Sequence, residues 1–196
     1  MRFFKRFYVV KVRRWGLMDM QLIQKIIAGD QQAFRIIVDT YKQPLVSYLT
    51  YQTNDEELAK DIAQESFIKC YENLLHFKGG SFKAWLFRIA INQLIDFKRK
   101  HKEDATPLEE TPSLETPEVL IIKKEQNALL QQWLATLEHK THQVFVLKYA
   151  SNCSYEEIAE TLNIPISEVR NRLHRTKKRL RNAMLKGEIN NELLIN

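Results

Sequence analysis

The chain has 196 residues, a formal net charge of +6, and only five glycines and five prolines. That length allows one or two domains with real cores, and the scarcity of Gly and Pro favours a helical protein. No apolar run approaches the roughly 18 residues a membrane span needs, and Cys70 and Cys153 lie far apart with no metal-spaced neighbour, which suits a reduced, cytoplasmic protein.

Residues 1–17, MRFFKRFYVVKVRRWGL, hold six Lys and Arg and no acid, so the rest of the chain is neutral. Any nucleic-acid argument must therefore rest on local clusters. This segment has neither helical nor strand periodicity. It reads as a basic arm for DNA or a membrane surface, as a weak targeting segment without a proper apolar core or cleavage site, or as non-native chain ahead of Met18 and Met20. We take residues 1–18 as a basic extension, disordered or not native.

Helical signals begin near Asp19. Leu22, Ile23, Ile26 and Ile27 make one apolar face, ended by Gly29-Asp30. Phe34, Ile37, Val38 and Tyr41 make a second, and Leu45, Tyr48 and Leu49 a third after Pro44. Asn54, with Glu57 three residues on, is expected to cap a longer helix to about Leu75. Its inner face is Ala59, Ile62, Ala63, Phe67, Cys70, Tyr71 and Leu74. On its outer face Asp61, Gln64, Glu65 and Ile68 lie together at helical spacings. Charges on such a face are normally just solvated, but an exposed Ile68 among them points to a protein-binding surface.

His76–Ser81 reads as a loop around Gly79-Gly80. Phe77 and Lys78 in it could receive an unstacked base. The next helix, Phe82 to about Lys100, is apolar almost all round and so mostly buried. A polar stripe runs through Arg88, Asn92, Asp96 and Arg99 into the basic cluster Lys98–Lys102. Cations there suit the helix dipole, and they also suit phosphate and base contact. Trp85 could stack on a base, but its periodicity assigns it to the core.

From Glu103 to Glu118 the chain holds three prolines, six acids and no Lys or Arg. That composition is a mobile, extended linker. Thr116-Pro117-Glu118 is a helix start. Leu129, Leu130, Trp133, Leu134 and Leu137 carry that helix, and Val144, Phe145, Leu147 and Tyr149 the next.

Ser154 with Glu157 is a capping box, followed by Tyr155, Ile158, Ala159 and Leu162 at helical spacing. Asn163-Ile164-Pro165 breaks the run. A second helix is expected from near Ser167, with Val169, Leu173 and Leu180 inward. Two short helices with base-reading side chains on the free face of the second make a helix-turn-helix. Ser167, Glu168, Arg170, Asn171 and Arg172 are placed for base edges. His174, Arg175 and Lys178 follow on the same face, the last two for the backbone. The chain contains no nucleophile–base pairing, phosphate-cradling Gly loop or metal motif. His139, His142 and Cys153 fit no common zinc spacing. We expect no enzymatic activity, cofactor or metal.

Three runs carry a family resemblance: AKDIAQESFIKCYENL (59–74), FKAWLFRIAINQLIDFKRK (82–100) and SYEEIAETLNIPISEVRNRLHRTKKRLR (154–181). In this order, with a linker between the second and third, the chain resembles bacterial sigma factors of the extracytoplasmic-function (ECF) group, over about residues 19–185. The resemblance implies an all-α protein of two small helical domains on a flexible acidic linker. Residues 19–102 would bind core RNA polymerase and read the minus-ten element, 103–117 would be the linker, and 118–187 would read the minus-thirty-five element, with 188–196 as a tail.

The resemblance further implies docking on polymerase through Asp61, Gln64 and Glu65, the face on which the exposed Ile68 also lies. It places Asn92 and the loop His76–Ser81, with Phe77 and Lys78, at the minus-ten element, and the polar stripe and basic cluster read above add Arg88, Lys98 and Arg99. Promoter DNA and an anti-sigma factor would be the other partners. The chain departs from the family at Leu137-Glu138, where Leu-Pro is common, and at Asn163 and Ser167, where Gly is common. Glu168 and Asn171 replace the commonest Thr and Ser. Two other readings fit parts of the chain: a helix-turn-helix regulator with a sensing first domain, and a helical interaction module without DNA binding.

Overall fold

The computed structural model describes residues 18–103 and 130–186, and within them every regular element is a helix. The N-terminal extension, most of the acidic linker, the Thr116-Pro117-Glu118 start and the tail lie outside the described residues. Helix α1 spans residues 18–27 and ends at Gly29, whose φ is +100°. Asp30 then caps α2 (Gln31–Thr53), accepting from the amides of Gln32 and Ala33.

Helix α2 runs unbroken through Pro44, where separate helices were expected. Proline in a helix interior removes one hydrogen bond and costs about 3 kcal/mol. Tyr41, Leu45, Tyr48 and Leu49 are all buried on one face on both sides of it, and that shared face outweighs the local break. Asn54 also differs from expectation. It ends α2 in the left-handed region, with φ 57° and its N–H on Thr50 O. Asp55 is the cap of α3 (Glu56–Glu72), accepting from Leu58 N at 3.0 Å. Asn tolerates that conformation at a helix end, so the two adjacent polar residues divide the exit and the entry between them.

Helix α3 stops at Glu72, and a 3₁₀ turn, Leu74–His76, leads into the glycine loop. Ser81 opens α4 (Phe82–Glu103) by accepting from Ala84 N at 3.2 Å. After the linker, α5 covers residues 130–135 and α6 His139–Tyr149. Helix α7 (Tyr155–Leu162) carries the expected capping box, with Glu157 N on Ser154 Oγ at 3.0 Å and Ser154 N on Glu157 Oε2 at 2.7 Å. Asn163 ends it at φ 51°, and Pro165 precedes α8 (Ile166–Leu185).

The sequence expects two helical units free to move. The structure joins them through one continuous core. Ile37, Leu45, Tyr48, Leu86 and Phe87 of the first unit share it with Val144, Leu147, Ile158, Val169 and Leu173 of the second. A smaller core of Leu134, Leu137, Phe145, Leu180 and Ala183 holds the far end of α8. Helix α7 packs on α4, and α6 packs on α2.

Candidate nucleic-acid interface

On α3 the inner stripe of Ala59, Ile62, Ala63, Phe67 and Cys70 is buried, which turns Asp61, Gln64, Glu65 and Ile68 outward, all exposed. Beside them a groove of about 960 Å³ runs between α2 and α3. Gln64 and Ile68 line it together with Phe34, Val38, Phe67 and Tyr71. Phe34 and Tyr71 meet edge to face at 4.9 Å. Sequence periodicity merged Phe34 and Val38 with Ile37 and Tyr41. Only the second pair is buried, and the first forms the groove wall.

The loop before α4 holds Phe77 half-buried, its ring 5.7 Å from Phe82 and 5.2 Å from Trp85. Lys78 is exposed beside it. Arg88, Asn92, Lys98 and Arg99 all reach the surface of α4. Three of them have partners within the chain. Arg88 donates to the backbone carbonyl of Glu160, Lys98 donates to Gln52 O at 3.1 Å, and Arg99 pairs with Asp96 at 3.1 Å.

Helix α7 packs against the start of α4. Ser81 donates its amide to Glu160 Oε2 and its hydroxyl to Glu157 Oε1, both at 3.3 Å. Gly80 is favoured there by its φ of +94°; a Cβ added to it would stand 2.8 Å from Glu160 Oε1, a carboxylate at the end of a flexible side chain. Lys83 reaches the carbonyls of Ser151 at 2.6 Å and Asn152 at 3.2 Å.

On α8, Val169, Leu173, Thr176 and Leu180 are buried. Ser167, Arg170, Asn171, His174, Arg175 and Lys178 are exposed on the outer side, beside Lys177, Arg179 and Arg181. This face is strongly positive, as a duplex-binding surface must be. Glu168 and Arg172 are turned away from it and bound to each other, with the Arg172 Nε 2.8 Å from Glu168 Oε1. Sequence reasoning missed their third partner, Glu138, since nothing local joins residues 34 positions apart.

Burial pushes the thiols of both Cys70 and Cys153 up to about 12, so neither is a thiolate near neutral pH. Among the described residues no group of His, Cys, Asp and Glu is placed to hold a metal, and no helix is long and apolar enough to cross a membrane.

Comparison with known proteins shows the family. The family described as Sigma-70 region 2 matches residues 37–103, and Sigma-70, region 4 matches residues 127–180. The ECF RNA polymerase sigma factor SigW of Bacillus subtilis is 35% identical, over 86% of this chain and 97% of its own length. The ECF RNA polymerase sigma-E factor of Escherichia coli is 28% identical, over 86% and 95%. Among solved structures, CnrH in complex with the cytosolic domain of CnrY has a similar fold, with TM-score 0.68, 23% identity, and coverage of 87% of this chain and 98% of that one. RpoE in complex with the anti-sigma factor NepR, from Bartonella quintana, gives TM-score 0.58 at 21% identity over 77% and 96%. By sequence across both of its helical units, the chain belongs to the sigma-70 family of RNA polymerase sigma factors, in the ECF group.

Proposed function

We propose that this sigma factor docks on core RNA polymerase through Asp61, Gln64, Glu65 and Ile68 of α3, together with the adjoining groove. The loop at Phe77 and Lys78, with Arg88, Asn92, Lys98 and Arg99, takes the minus-ten element. The α8 face of Ser167, Arg170, Asn171, His174, Arg175 and Lys178 takes the minus-thirty-five element. Residues 19–102 and 118–187 are the two working units, and 103–117 is the tether between them. The protein acts in the cytoplasm, under the control of an anti-sigma partner. It has no enzymatic activity of its own, and strand separation draws on contacts made to unstacked bases.

One observation carries this reading. A single chain presents an exposed acidic–apolar face on α3 and an exposed basic face on α8. A sensor domain in a simple repressor has no use for the first. The test is run-off transcription with purified core polymerase on promoters of the native genome. Promoter-specific product is expected, and no product together with no polymerase binding in a pull-down would sink the proposal. Asp61→Arg combined with Gln64→Ala should abolish polymerase binding while both units stay folded by circular dichroism. Unchanged binding would remove the α3 face from the assignment.

A further inference from the structure

Arg172 sits in the second turn of the recognition helix, yet its side chain is only 20% exposed. A guanidinium has three nitrogens, and it reads a guanine by offering two adjacent donors to the base edge. Here all three nitrogens are taken. Nε and NH2 both lie 2.8 Å from Glu168 Oε1, while NH1 lies 2.6 Å from Glu138 Oε2 and 2.7 Å from Thr141 Oγ1. Thr141 in turn donates to Glu138 at 3.3 Å. Glu138 stands at the N-terminal end of α6, directly after Leu137 of the smaller core. The network therefore ties the first turns of α8 to the corner between α5 and α6. The C-terminal half of α8 is held separately by Leu180 and Ala183.

Swinging Arg172 onto a base would strip the cation from Glu138 and Glu168 and leave two carboxylates beside a polyanionic duplex. Like charges brought together in this way are costly. We propose that Arg172 is a positioning residue. It sets the angle at which α8 enters the groove by clamping it to Glu138, and it masks the charge of Glu168, leaving Arg170 and Asn171 to read base edges and Arg175 to hold the backbone. This inference rests on α8 being the recognition helix.

The test uses holoenzyme, made from the full chain and core polymerase, on a promoter whose upstream element is changed one base pair at a time. Arg172→Ala should weaken binding about tenfold, the scale of one lost charge-assisted hydrogen bond, and by the same factor on every sequence. The order of base preferences and the slope of affinity against salt should stay as in the unaltered protein. Arg172→Lys should restore part of the loss, since it can hold one carboxylate. Glu138→Gln, at an exposed position that puts folding at little risk, should reproduce the uniform loss in smaller measure.

Preference flattened at a single base pair by Arg172→Ala would make Arg172 a base reader and overturn the proposal. A salt slope reduced by about one would make it a phosphate contact, and full binding by Glu138→Gln would remove the clamp. Arg170→Ala and Arg175→Ala tell the two levels apart. If neither changes upstream binding, the assignment of α8 is at fault and not the clamp.

Discussion

His142 lies where the two helical units meet, its Nδ1 3.2 Å from the side-chain amide of Gln52. The amide donates, so the ring nitrogen must be unprotonated. Burial, with His139 and Lys98 nearby, holds the imidazole below its ordinary value of 6.5. The packed arrangement thus favours the neutral ring. Its contribution is complete above pH 6.5 and is lost as the pH falls through the lowered value, because the separated units take up the proton more readily. The thermal midpoint should therefore fall between pH 7 and pH 5 by more in the unaltered protein than in His142→Gln. Parallel curves for the two proteins would exclude His142 as the cause. At the other end of α8's clamp, Arg172 holds the Glu138 carboxyl below its ordinary range. That contact persists at neutral pH and fails only in acid, below the ordinary carboxylate range.

At the scale of the element, helix ends decide the local geometry. Ser154 and Glu157 satisfy each other's amides at the start of α7, and Ser154→Ala should cost about 1 kcal/mol, read as a lower urea midpoint at unchanged slope. Because α7 is the helix that packs on α4, the same change should raise amide exchange across residues 155–162. This cap was legible in the sequence because both partners lie three residues apart. The ends around Asn54 were less so. Asn54 and Asp55 are both competent caps, and the choice between them depends on the backbone turning left-handed at Asn54. Pro44 was misleading for a related reason. Its penalty is local, while the burial of Tyr41, Leu45 and Tyr48 that overrides it comes from other helices.

For the whole molecule, the α4–α7 contact sets a geometric problem. The two promoter elements are centred about 25 base pairs apart, roughly 85 Å at 3.4 Å per pair. Helices in direct contact do not span that distance. Of the residues proposed for the minus-ten element, Arg88 is held by the carbonyl of Glu160, and Ser81, at the end of the adjoining loop, is held by Glu157 and Glu160. On the assignment proposed above, engagement of both elements requires the units to part. A disulfide introduced by Ser81→Cys with Glu160→Cys should block promoter-specific transcription when oxidised and release it on reduction. Full activity in the oxidised form would show that the closed arrangement is no obstacle.

Local pattern by itself determined the apolar stripes of α3 and α8, the capping box of α7, the glycine loop and the order of the three family motifs. Each depends on residues within a turn or two of one another, where spacing alone says which side chains share a face. The tertiary structure decided the rest. It joined the units through one core, laid α7 over α4, carried α2 through Pro44 and turned Arg172 from the exposed basic side of α8 toward Glu138. Those outcomes depend on shape and charge complementarity between segments tens of residues apart, and periodicity along a chain carries no information about that.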